Sequence, residues 1–464
     1  MKTLWTKFFS YDRSLAFFET PNDTMTLPKV FVPFFIEMFL LQMTGTINTM
    51  MLSHYSDDAV AAVGAASQLT TMILTLYTVI STGTSIIINH NLGAGQKNVA
   101  SDAAFTSIVF CGTFSLILGS LLSIFARPIL GLMHLEPHVL EYAVSYFKIA
   151  VQFSFFQAIS SSISGIFRSY GKPKIAVCVS LTMNILVAFF DYLIIFRPFD
   201  FPLKGVSGIA IGYVLSQASG LMLNLFFLKK ARLGLQLHKK NLGTLRILNK
   251  ILKVGVPSGV SSLSYSLSQV VSTSIIAILG TAAISTKIYV TNIVFFVYVF
   301  GLSLGISTSL FIGWLVGAKK YEQAYRLNIQ NLKLTITVNI TLSLLIYCIS
   351  GPLLSLFTSD PAIISMGRTL MFIDVLVEIG RGFNHIEENS LRGAGDVFYP
   401  MIISIISCWT MSIFFSWFLG IQLGLGLAGC WFAFAMDEFF RAVAYLIRWR
   451  SRKWTTKTVS GTDR

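Results

Sequence analysis

The sequence predicts an all-α polytopic membrane protein, with twelve transmembrane helices in two six-helix bundles. Three observations predict it: an apolar composition, apolar runs that recur along the whole chain, and a repeat that lays one half over the other. Apolar residues make up 54% of the chain and charged residues 12%, about half the charged share of an ordinary soluble domain. Such a chain cannot cover its own surface with polar groups. Runs long enough to span a bilayer fall near 28–52, 58–82, 101–125, 138–166, 175–196, 207–228, 254–280, 284–312, 329–357, 362–391, 400–420 and 426–449. A closed membrane β-barrel would need stretches of alternating hydrophobicity, whereas Ile108–Phe125 is largely apolar without alternation.

The first residues mix Lys2, Lys7, Asp12 and Arg13 with aromatics and lack a small-residue cleavage pattern, so the N-terminus is expected to stay with the mature protein. Cys111, Cys178, Cys348, Cys408 and Cys430 lie singly inside predicted spans, with no Cys-x-x-Cys pair, and the histidines form no His-x-x-x-His pair. The cysteines read as small packing residues, and neither a disulfide framework nor a structural metal is expected. The net charge of +14 gathers in the connection after span 6 (Lys229, Lys230, Arg232, Lys239, Lys240, Arg246, Lys250, Lys253) and in the tail (Arg450, Arg452, Lys453, Lys457, Arg464). Connections on the other side carry few basic residues in or beside them: Arg127, Arg197, Lys204, Lys287 and Arg368. Basic residues mark the cytoplasmic side. Both termini and the central loop are therefore expected to be cytoplasmic, with the charge serving topology and anionic membrane lipids and no nucleic-acid partner.

The halves overlay at one offset of 224 residues: Pro33 meets Pro257, Leu92-Gly93-Ala94 meets Val316-Gly317-Ala318, and Arg168-x-x-Gly171 meets Arg392-x-x-Gly395. After small length changes Gly205-Val-Ser-Gly208 meets Gly426-Leu-Ala-Gly429. Each half has an even number of spans, so both enter the membrane in the same orientation and the pseudo-two-fold axis runs along the membrane normal. The expected organisation is an N-terminal segment 1–27, a first lobe 28–228, a basic linker 229–253, a second lobe 254–449 and a basic tail 450–464.

Charged residues in hydrocarbon are costly and mark a cavity or a partner. In span 10, Asp374, Glu378, Arg381, His385, Glu388 and Arg392 fall on one helical face. This stripe reads either as a proton or cation relay, for which Asp374 and Glu378 are the candidates, or as an ion-paired seam, which suits Glu388 and Arg392. Span 7 carries a neutral stripe of Ser258, Ser262, Tyr265, Gln269 and Ser272, fit to line a cavity or to pack closely. Span 1 sets Glu37, Thr44 and Asn48 on one face, and span 5 does the same with Ser180, Asn184 and Asp191, so Glu37 and Asp191 are the acids available to an N-terminal cavity. Asp437 and Arg441 stand one turn apart and most simply pair with each other. Gly424-Leu-Gly426-Leu-Ala-Gly429 matches Gly-x-Gly-x-x-Gly in form, but no strand precedes it and no acidic residue follows at the required distance, so nucleotide binding is not expected. No Gly-Lys-Ser/Thr phosphate loop is present, and no enzymatic constellation.

These residues resemble the multidrug and toxic compound extrusion family over nearly the whole chain. The resemblance is carried by Pro33, Ala59-Val60-Ala61-Ala62-Val63-Gly64, Leu92-Gly93-Ala94-Gly95, Arg168-x-x-Gly171 and Gly205-x-x-Gly208 in the first half. In the second half it is carried by Glu378-Ile379-Gly380-Arg381 through Asn384 to Leu391-Arg392-Gly393-Ala394-Gly395-Asp396, and by Gly429-Cys430-Trp431 to Asp437 and Arg441. It implies a multi-pass antiporter of the bacterial inner membrane that exports bulky, mostly cationic organic compounds against an inward flow of H+ or Na+. No cofactor is expected beyond that ion, and a monomer is expected. By the resemblance Asp191 matches the acidic residue of span 5, and the span-10 acids lie where some members bind their cation. The sequence departs from the family at Asn48, where an aspartate is usual, and at Val187, where an amide partner of Asp191 is usual; Asn184 lies nearly one turn further back. Tyr265, Gln269, Arg381, Asn384 and His385 complete the candidate substrate wall, and the 39 Phe and 15 Met supply soft contact surface. A flippase for lipid-linked saccharides is the alternative within the wider superfamily; such proteins tend to more spans and a strongly cationic cavity, whereas the charges here are mixed.

Overall fold

A computed structural model describes residues 12, 14–15, 17–19, 24–53, 57–131, 133, 135–196, 203, 205–231, 233 and 244–459, and at 19, 24, 44–50, 52–53, 57 and 244 the backbone alone. Twelve helical spans follow one another. The first six are α1 Leu27–Ser53, α2 Asp57–Gly93, α3 Lys97–Ile124, α4 in two pieces (Pro137–Gln152 and Phe155–Ser169), α5 Pro173–Phe196 and α6 Gly205–Lys230. The second six are α7 Thr244–Ala277, α8 Thr281–Gly317, α9 Tyr321–Cys348, α10 Pro361–Gly393, α11 Phe398–Gln422 and α12 Gly426–Arg450. On hydropathy alone seven helices are long and apolar enough to cross a membrane, or eight with the two pieces of α4 taken as one span. The helices α7, α10 and α12 are among those that fall short, because the polar stripes that interrupt them face the interior cavity. Lipid-facing positions are apolar: Ile117, Ile124, Met222 and Ile278 are each about 70% exposed (70%, 72%, 71% and 68%), as a chain solvated by acyl chains requires.

The expected span positions hold, with local corrections. Helices α2 and α8 run well past the expected ends at 82 and 312, because their final turns are buried against each other where the lobes cross. The connection between the halves is shorter than 229–253, since α6 continues to Lys230 and α7 begins at Thr244; Arg232, Lys239 and Lys240 lie outside the described residues. Span 4 is broken, its two pieces meeting at 47°, and Tyr77 shares a hydrogen bond with Ser154 at the break (2.9 Å). The α-helical ladder of α11 widens into π-turns at Cys408–Phe414 and Phe418–Gln422. The N-terminal segment contains a small antiparallel pair, Phe17–Glu19 with Thr24–Thr26, which the all-α expectation did not include. Cys111, Cys408 and Cys430 are buried, Cys178 and Cys348 are exposed, and all five are free thiols.

The duplication is visible in the backbone. Helices α2 and α8 are both 37 residues long, and α3 and α9 are both 28. Pro33 and Pro257 both sit inside their helices. Gly171 and Gly395 both take positive φ (75° and 88°), as do Gly95 and its counterpart Lys319 (74° and 58°). The first six helices pack as one lobe and the last six as the other, and the lobes meet where α7 crosses α2 and α3 and where α8 crosses α1 and α2.

The α2–α8 crossing is a close, reciprocal one. A Cβ at Gly93 would lie 2.1 Å from the Trp314 carbonyl oxygen, and one at Gly317 would lie 2.1 Å from that of His90. Two hydrogen bonds related by the same pseudo-symmetry cross between the lobes here. The His90 ring bonds through Nε2 to the Gly393 carbonyl at the end of α10 (2.7 Å), and Trp314 Nε1 donates to the Ser169 carbonyl at the end of α4 (3.1 Å). His90 Nδ1 accepts from the Val459 backbone N–H (3.0 Å), which fixes Nε2 as the protonated nitrogen and ties the C-terminal tail to the first lobe. On the other flank Phe18 stacks on Trp314 at 5.5 Å, and Gln323 of α9 donates to the carbonyls of Leu15 and Phe17 (3.3 and 3.4 Å). The N-terminal segment thus docks on the second lobe, and the C-terminal tail, packed on its own lobe through Trp454 and Arg452, reaches the first lobe at Val459.

Overpacking a close crossing costs about 1–3 kcal/mol or more. Gly317→Val is therefore expected to lower the melting temperature in detergent by several degrees, whereas Gly64→Val, with nothing within 4 Å of its Cβ position, leaves it nearly unchanged. Equal melting temperatures for the two variants would refute the tight crossing.

Candidate functional site

Between the lobes lies a cavity of about 740 Å³ that extends from Asn89 and Ser309, beside the α2–α8 crossing, to Lys287 and Trp431. Its most charged wall is α10. That helix begins on Pro361 after Asp360, whose side chain accepts from the Ala362 N–H (2.8 Å) and caps it. The stripe then follows at helical spacing, and Asp374, Arg381, His385, Glu388 and Arg392 all line the cavity. Glu378 does not. It is fully buried one turn behind, where it forms an ion pair with Arg381 and accepts from Asn339 Nδ2 of α9 (3.1 Å).

Arg381 is the centre of a wider network. Its Nε lies 3.6 Å from Glu438 of α12, and its guanidinium sits 5.0 Å from the Tyr298 ring centroid. Glu438 also pairs with Arg441 (2.9 Å) and accepts from Asn384 Nδ2 (2.5 Å). Arg441 reaches Asp437 as expected (2.7 Å), and Asp437 accepts from Ser407 Oγ (2.5 Å). Gly380 makes this contact possible, since a Cβ there would lie 2.7 Å from that of Glu438. Among the described residues, Asp374 stands apart, accepting only from Trp431 Nε1 (3.1 Å), and His385 Nε2 has no partner. Glu388 pairs with Arg392 within α10, so this pair does not by itself tie the helix to a neighbour as a seam would.

The neutral stripe of α7 divides in two. Ser262, Tyr265 and Gln269 line the cavity, while Ser258 and Ser272 are buried in packing. The candidates of the first lobe are not brought together. Glu37 pairs with Arg168 (2.7 Å) near the crossing. Asp191 is buried in the lobe interior near Tyr146, with Oδ1 unpartnered among the described residues, and Asn184 is half-buried on α5. None of the three lines the cavity; the Thr44 and Asn48 side chains lie outside the described residues. Arg168 and Arg392 occupy equivalent stations, for Arg392 donates to Ser261 (3.3 Å), the counterpart of Glu37. Sequence reasoning missed Glu438, Trp431 and Tyr298. Glu438 was legible in principle, since it stands three residues from Arg441, but the simpler pairing of Asp437 with Arg441 concealed it.

The arrangement is a pair of duplicated lobes around a charged cavity, shut at one end. A family model, MatE, matches residues 33–193 and 257–418, one match in each half. The chain belongs to the MATE family. Its relatives include the uncharacterized transporter YisQ of Bacillus subtilis (strain 168), 36% identical over 96% of this chain and 98% of the relative. They also include the probable multidrug resistance protein NorM of Thermotoga maritima, 28% identical over 96% of each. The crystal structure of a MATE protein in the bent conformation superposes with a TM-score of 0.84 at 21% identity, covering 92% of this chain and 94% of that one. The fold, a multi-pass membrane transporter of twelve helices in two lobes, is that of MATE proteins, and the chain belongs to this family of transporters, not of enzymes.

Removing one member of a buried charge network leaves its partner uncompensated, at about 3–5 kcal/mol. Glu438→Gln, which strips a carboxylate from both Arg381 and Arg441, is expected to destabilise this MATE protein by that order in thermal unfolding. A melting temperature equal to that of the wild type would contradict the network.

Proposed function

We propose that this protein is a cation-coupled antiporter that exports bulky, mostly cationic organic compounds, driven by H+ or Na+, by rocking of its two lobes. The observation that carries the proposal is the charged cavity between duplicated lobes, closed at one end by hydrogen bonds that run from each lobe to the other. A closure of that kind can break and re-form as a unit, which alternating access requires. The basic residues gather at the closed end, so that end is assigned to the cytoplasm, with the termini and the connection between the lobes. A bacterial inner membrane and a monomer complete the reading.

Asp374 is the cavity carboxylate without a paired cation, so it is the first acid that a cationic drug or a coupling ion meets. Glu378, one turn deeper, competes with Glu438 for Arg381. A proton or ion that neutralises Glu378 loosens its hold on Arg381, whose side chain then belongs more fully to Glu438. Binding at one acid therefore changes the field at the other, and such a ligand shifts the facing equilibrium by its difference in affinity between the two states.

In reconstituted vesicles, Glu378→Gln is expected to abolish exchange driven by an imposed ion gradient while retaining most drug binding, and Asp374→Asn to give a milder form of the same defect. Exchange that keeps its full dependence on the gradient would refute the assignment. For the topology, a cysteine placed at Lys240 is expected not to react with an impermeant reagent added to intact cells; rapid labelling would reverse the orientation.

A further inference from the structure

Among the described residues nine charged side chains line the cavity, and seven are held in ion pairs: Arg168 with Glu37, Arg392 with Glu388, Arg381 and Arg441 with Glu438, and Asp437 with Arg441. The two left over have opposite sign. Asp374 accepts only from Trp431, and Lys287 donates only to Thr273 Oγ1 (2.6 Å); among the described residues neither has an ion-pair partner. Thr273 spends its own proton on the Gln269 carbonyl (2.7 Å). Its lone pairs are thereby turned to the lysine, and the other two N–H groups of the ammonium have no partner among the described residues.

These two ions share one end of the cavity. Helices α8 and α10 run side by side in the same direction, with Tyr298 level with Arg381 and Ser309 level with Gly393. Counting back toward the end away from the crossing, Asp374 is level with Thr291, and Lys287 stands one turn beyond, roughly 6 Å further along the axis at about 1.5 Å per residue. Aromatic surface from Trp431, Phe434 and Tyr298 lines the same cavity. An ammonium left without a carboxylate in a partly desolvated wall is an unfilled electrostatic complement, and so is the carboxylate below it.

We propose that Lys287, oriented by Thr273, is an anion-accepting subsite, and that the cavity takes amphoteric aromatic compounds with their carboxylate on Lys287 and their cationic group at Asp374. This rests on the efflux reading and narrows its substrate class. Purely cationic compounds use only the Asp374 half of the site.

The test compares rhodamine B, which carries a carboxylate and a cationic xanthene, with its ethyl ester, which carries the cation alone. Both are titrated by fluorescence anisotropy onto the purified full-length protein. Lys287→Met is expected to weaken binding of the acid about tenfold, the order of one hydrogen bond to a charged group, and to leave the ester within about twofold. Lys287→Arg keeps the acid bound, and Thr273→Val weakens the acid alone, by a smaller factor. Equal weakening of both dyes in Lys287→Met, or no change in the acid, overturns the subsite while leaving the efflux reading standing. Failure of the wild-type protein to bind even the ester removes the efflux reading and the subsite with it.

Discussion

Two backbone carbonyls, those of His90 and Trp314, point at positions where only a hydrogen atom fits, and those positions are Gly317 and Gly93. This reciprocal contact brings α2 against α8 at the pseudo-two-fold axis. It is what allows His90 to reach Gly393 and Trp314 to reach Ser169. The cavity exists because the lobes touch there and diverge beyond. The hydrogen bonds that cross between them are worth about 0.5–1.5 kcal/mol net each, since water can replace them when the lobes part.

The two lobes share a scaffold and differ in chemistry. Along α10 the stations Asp374, Glu378, Arg381, His385 and Glu388 carry charge or a titratable ring; at the same offset α4 carries Ala150, Ser154, Gln157, Ser161 and Ser164. Only the terminal arginine is kept, as Arg168 and Arg392, and even there the partner has changed from Glu37 on a neighbouring helix to Glu388 on the same one. The charged chemistry of the cavity therefore lies almost entirely in the second lobe.

Much of the architecture was legible in the sequence, because it rests on periodicities that a single chain displays. Span positions follow from apolar runs, and the duplication follows from Pro33, Gly93, Arg168 and Gly171 meeting their counterparts at one offset. The stripe of α10 was legible for the same reason. What the sequence concealed depends on which helices are neighbours. Glu378 belongs to the stripe by spacing but turns behind it, because Asn339 of α9 and Arg381 hold it there. Glu438 joins the network only because Gly380 lets α12 approach α10. Glu37 and Asp191, grouped by their polarity, are claimed by Arg168 and by the interior of the first lobe. The break in α4 has no proline to announce it and is fastened by Tyr77, a residue in another helix.

That break has a counterpart in the second lobe. It falls at Phe153 and Ser154, and the residues that correspond to these in the second half are Val377 and Glu378, in a helix that runs unbroken from Pro361 to Gly393. The same station of one ancestral unit has become an elbow in one copy and a buried acid in the other. An elbow changes shape at constant charge; an acid changes charge at constant shape. On the proposed coupling role of Glu378, divergence of this kind would leave one half of the molecule to sense and the other to bend, a division of labour that two identical halves do not possess.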